Sequence, residues 1–104
     1  MTTKELEQIL RRATNEVYHL QAPTGVQEYV AWHKYGHSSL VGDDGVRVQL
    51  PKIQLDVIWT DESSEFLDNI KGVLSEFELP YFEADYGYDD VWGAMRCILQ
   101  LELD

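Results

Sequence analysis

With 19 carboxylates against eight lysines and arginines, this chain of 104 residues carries a formal net charge of −11, so DNA, RNA and anionic membranes repel it over a Debye length of ~10 Å. Its 44% hydrophobic and 12% aromatic content fits one compact domain, residues 1–104, and argues against disorder. The single cysteine excludes an intrachain disulfide, as suits a reducing cytosol, and no apolar run approaches the ~20 residues that span a bilayer.

Residues 3–14 read as an amphipathic helix, with Leu6, Ile9, Leu10 and Ala13 at helical spacing and Val17 continuing the stripe. Thr2 and Glu5 form a capping-box pattern. The segment NEVYHLQAPTG, 15–25, leads out of the helix to a turn at Pro23 and Gly25, with His19 half-buried or exposed. Residues 26–35 predict a strand with Val30 and Trp32 on one face and Tyr29, Ala31, His33 and Tyr35 on the other. The clearest strand is 52–60: Ile53, Leu55, Val57 and Trp59 share the dry face.

A second helix is predicted over 62–78, with Phe66, Ile70, Val73, Leu74 and Phe77 as its stripe and Asp61 as its cap. Gly72 inside it suggests close packing, and Leu79-Pro80 ends it. After the turn-rich YFEADYGYDDVW comes a last strand, with Met95, Cys97, Leu99, Leu101 and Leu103 on one face. Cys97 therefore reads as a small core residue rather than a nucleophile. The expected fold is α+β: a mostly antiparallel sheet of about four strands with two helices on one face.

The stretch HKYGHSSLVGDDG, 33–45, contains residue types that bind metals: His33, His37, Asp43 and Asp44. On an extended strand the two histidines point the same way but stand ~13 Å apart, whereas ligands of one ion each sit ~2 Å from it. Only a tight turn at Gly36 brings them together. Asp43-Asp44-Gly45 is itself a hairpin-corner signal, so a hairpin tip is the favoured reading and a small metal-dependent enzyme its rival. The acids Glu83, Asp85, Asp89 and Asp90 lack calcium-loop spacing and read as a solvated turn. Phosphate loops, GxSxG, HExxH and paired cysteines are all missing from the sequence, and no cofactor is implied.

The order of features resembles the small tail terminator and tail completion proteins of long-tailed bacteriophages and prophages. The carrying segments are the N-terminal helix, NEVYHLQAPTGVQEYVAWHKYG, KIQLDVIWTDESSEFLDNIKGVL and GAMRCILQLEL. The resemblance implies a structural, non-enzymatic role. Copies of the chain form a ring, typically six-fold, on the head-proximal end of the tail tube, meet the head connector and let DNA pass through. It places the protein in the virion tail, and in the host cytoplasm during assembly. The acidic charge suits a lumen along which phosphates slide. The loop Ser38–Leu50 is the expected assembly interface, with His37, Leu40, Val41, Asp43, Asp44, Val46 and Val48, because its apolar residues are out of place at a free hairpin tip. A neck or head-completion role in the same virion fits equally. An acidic DNA-mimic inhibitor is the reading from another class.

Overall fold

The computed structural model describes residues 1–41, 45 and 47–104, and for 38–41, 47 and 48 the backbone alone. Helix α1 (Thr3–Leu10) is followed by β1 (Val17–His19), β2 (Tyr29–Val41), β3 (Arg47–Trp59), α2 (Phe66–Glu76), β4 (Phe82–Asp89) and β5 (Ala94–Glu102). The strands make one mixed sheet in the order β1-β2-β3-β5-β4. Both helices cover one face of it, as expected for the α+β class.

The Thr2 hydroxyl accepts from the Glu5 N–H at 3.1 Å, and the Glu5 carboxylate accepts from the Thr2 N–H, so the expected capping box opens α1. The helix closes by Leu10 and Val17 enters β1 instead of extending the stripe. Strand β1 was not legible. Three residues hold no period, and β1 exists only because it pairs in parallel with Val30, Ala31 and Trp32. The chain reverses after it in a three-residue turn: Gln21 N–H donates to His19 C=O, with Leu20 at φ 74°.

The dry side holds Val17, Val30, Trp32, Ile53, Leu55, Val57, Trp59, Cys97, Leu99 and Leu101, packed against Leu6, Ile9 and Leu10 of α1 and Phe66, Leu67, Ile70 and Leu74 of α2. The β3 and β5 faces are those read from the alternation. Leu55, at the centre, is fully buried and lies between Trp32 and Leu99 in the ladder.

Three details of α2 differ from expectation. The helix begins at Phe66, four residues late, because Asp61 Oδ1 accepts from Ser63 N–H at 2.9 Å and Ser63 Oγ at 2.7 Å and so closes a separate turn. Phe77 is exposed beyond the helix end, under the Arg12 guanidinium at 5.2 Å from its ring, and does not join the core. Gly72 is exposed, with nothing within 4 Å of where a Cβ would stand, so close packing does not explain it. The helix ends in a Schellman pair, Leu79 N–H to Leu74 C=O at 2.8 Å and Glu78 N–H to Ser75 C=O at 3.0 Å, with Glu78 left-handed at φ 56°.

The segment read as turn-rich is largely strand β4, the edge of the sheet. Asp89 Oδ1 then accepts from Val91 N–H and Trp92 N–H, and Gly93 at φ 63° completes the tight connection to β5.

Candidate functional site

Two features stand out beyond the packed core: the long β2–β3 arm and the sheet face that carries no helix. Strands β2 and β3 each run 13 residues, but β5 pairs with β3 only from Lys52 to Trp59, and β1 with β2 only from Val30 to Trp32. The pairs His37–Pro51 through Val41–Arg47 therefore continue as a two-stranded ribbon. The ribbon gives the molecule its long axis, 51 Å against 26 and 21 Å.

A bulge interrupts β2 between Lys34 and Gly36, leaving Tyr35 as the extra residue. Its effect falls on the two histidines. His33 pairs with Gln54, on the helix-free side of β3, whereas His37 pairs with Pro51, on the Ile53 side. The expectation that an extended strand points both the same way is thus corrected: one inserted residue flips the alternation. On opposite faces of a strand they cannot share an ion, and the turn at Gly36 that would join them is replaced by continued ladder. Among the described residues no three His, Cys, Asp or Glu side chains form a metal-binding group.

Of the proposed interface residues, His37 is an exposed strand residue. Leu40 and Val48 are backbone partners and Val41 pairs with Arg47, so these positions are strand rather than loop. Asp43, Asp44 and Val46 lie outside the described residues. Ser38 and Leu50, the ends of the expected loop, are also paired with each other.

The helix-free face carries a groove of about 850 Å³. The loop 20–28, which returns the chain from β1 to β2, forms one wall. Tyr29, Ala31, Asp56, Ile58 and Arg96 form the floor, and Trp92 closes one end. Asp56 is its electrostatic centre. Its carboxylate lies 3.7 Å from the Arg96 guanidinium and accepts from Gln54 Nε2 at 3.0 Å, and Gln100 Nε2 in turn donates to Gln54 at 3.4 Å. Burial, and then the nearby Asp56 carboxylate, raises the Tyr29 phenol above its ordinary pKa. The polar positions of 54–58 and 96–100 that read as the wet side of two strands meet here. The loop that walls them in was not legible, since its place depends on the parallel β1–β2 pairing.

Strand β4 spreads its acids over both faces. Glu83 pairs with Leu99 in register and reaches toward the helices, where Lys71 Nζ stands 2.6 Å from its Oε1. That hydrogen bond is the main cause lowering the Glu83 pKa and raising that of Lys71. Cys97 Sγ donates to the same carboxylate at 3.6 Å. Burial, reinforced by Glu83, pushes the thiol pKa up to about 12, so Cys97 stays a neutral thiol at physiological pH, as its place on the core face suggested. The hydroxyls of Ser63 and Ser64 donate to Asp61 and Glu28. Asp85 and Asp89, paired with Ile98 and Ala94, lie on the opposite side from Glu83.

No helix among the described residues is long and apolar enough to cross a membrane. Compared with known proteins, the chain matches no family model, no curated protein and no solved structure.

Proposed function

We propose that this protein is a structural subunit of a bacteriophage tail, one that forms a ring on the head-proximal end of the tail tube, stops its growth and joins it to the head connector. The observation that carries the reading is the arm. A ribbon reaching past its own sheet has no further strand of its subunit to pair with, and such a projection is suited to gripping a neighbouring copy or the tube. The net charge of −11 supports it, because an acidic ring lets DNA slide through without holding its phosphates. A neck or head-completion subunit would use the same arm in the same way. The DNA-mimic reading is weaker, since the carboxylates are spread over α1, α2 and both faces of β4 rather than gathered on one surface.

The test is genetic and morphological. Removing the gene should yield over-long tails or tails that fail to join heads, seen by electron microscopy. Replacing the ribbon beyond Gly36 and Lys52 by a two-residue turn should leave the circular dichroism spectrum folded but abolish capping of isolated tubes. Normal virions from the complete deletion would remove the tail reading.

A further inference from the structure

We infer that the acidic edge of β4 is the surface that receives a second copy of this chain, whose β2 arm adds to it as a further strand. The inference rests on the ring reading and names the contact that builds the ring. Among the described residues two long strand edges have no partner strand, all of β4 on its outer side and β2 beyond Trp32, besides the shorter stretch of β3 before Lys52. They lie at opposite sides of the sheet order, so joining them is a head-to-tail contact, the kind that closes into rings.

Charge decides which edge meets which. Strand β4 and its turn carry Glu83, Asp85, Asp89 and Asp90 and no cation between 82 and 90. Two β4 edges brought together would oppose like charges, which destabilises a strand pair. In contrast, residues 33–52 carry Lys34, Arg47 and Lys52 against two carboxylates, Asp43 and Asp44, both in the connection between the strands. In a chain with 19 acids, the arm is the one long edge whose charge complements β4.

Apolar surface points the same way. Tyr86 and Tyr88 face the helix side, opposite Cys97 and Met95 in register, yet are 56% and 62% exposed because no helix reaches over the edge strand. Tyr86 extends the core outward, its ring 6.0 Å from that of Trp59. A neighbour's arm laid along β4 would cover this row, with the bulged Tyr35 available to pack on it. Free length on β2 begins level with the end of β4 at Phe82, through Gln100, Gln54 and His33. Adjacent subunits are therefore staggered along the strands, and the arm of each reaches past its own body.

The experiment compares the full-length protein with Asp85→Lys and Tyr88→Ser. Association is followed by light scattering across protein and salt concentration, and backbone exposure by hydrogen exchange. Asp85→Lys is the deciding variant, because it moves the net charge from −11 to −9. If only overall repulsion mattered, it would associate more strongly. Edge pairing expects it to associate about tenfold more weakly or worse, since it sets a cation against the basic arm. Tyr88→Ser should weaken association while circular dichroism stays unchanged. In the wild-type assembly, exchange should slow in 82–89 and in 33–41 together. Stronger association of Asp85→Lys, an assembly whose β4 amides exchange as fast as in the monomer, or no association at any attainable concentration each overturns the inference. The tail reading is judged separately by the tube-capping and deletion assays, and a ring that caps tubes through other surfaces leaves it standing.

Discussion

Glu78 offers a test of the folding argument in which the sign of the effect is decisive. It sits at the left-handed position of the Schellman pair that ends α2, at φ 56°, where glycine is the usual residue. A Cβ in that conformation costs ~1–2 kcal/mol, and the extra freedom glycine gives the unfolded chain offsets ~0.5–1 kcal/mol of the relief. Glu78→Gly should therefore stabilise the domain by ~0.5–1 kcal/mol, or ~3–6 °C in melting temperature for a chain of this size. Charge must be separated from conformation. A carboxylate at a helix C-terminus is itself unfavourable by ~0.3–1 kcal/mol, so any neutral residue gains something. Glu78→Ala carries that gain without relieving φ, and the difference between the glycine and alanine variants isolates the backbone contribution. Urea unfolding at constant m-value measures both. If Glu78→Ala matches or exceeds Glu78→Gly, the left-handed strain is not what limits this helix end.

Further outcomes follow from the same packing. Gly72→Ala should stabilise α2 by ~0.5–1 kcal/mol, since the added methyl meets nothing and helix propensity improves; a loss of stability in urea unfolding would mean that this face of the helix is occupied. Leu55→Ala, at a fully buried site in the central strand, should cost ~2–5 kcal/mol in the same assay, a large part of the ~5–15 kcal/mol that holds a domain together; a cost typical of surface sites would overturn the β3 register. The Glu83 carboxylate has a pKa held below its ordinary 4.5, chiefly by the hydrogen bond from Lys71. Its contribution is therefore complete above that value and fades as pH falls through the folded pKa. Glu83→Gln should flatten the acid limb of the stability profile, and an unchanged limb would show that the pair contributes nothing in solution.

The fold is legible in the sequence wherever a period is long enough to read. Leu6, Ile9 and Leu10 mark the buried stripe of α1, and Phe66, Ile70 and Leu74 that of α2. Ile53 to Trp59 and Cys97 to Leu101 alternate cleanly, because each strand has one face under helices and one without them. From those faces came the α+β class, the side on which the helices pack, and the place of Cys97 in the core. His37, Leu40, Val41 and Val48 fall on paired strand backbone, where the sequence reads a loop.

Tertiary structure decided the rest, since it turns on pairing rather than pattern. Strand β1 is too short to show a period and exists through its ladder with β2. Strand β4 shows little alternation in burial because it is an edge with uncovered faces, so Tyr86, on the helix side, and Asp85, on the other, are both exposed. The ribbon 38–41 with 47–50 is extended because each strand is the other's partner, which neither segment signals alone. The bulge at Tyr35, one residue without a pair, separates His33 from His37 and sets which side chains of the arm share a face. A strand's faces repeat every two residues, so a single inserted residue reverses them, and only the partner strand reveals where it was inserted.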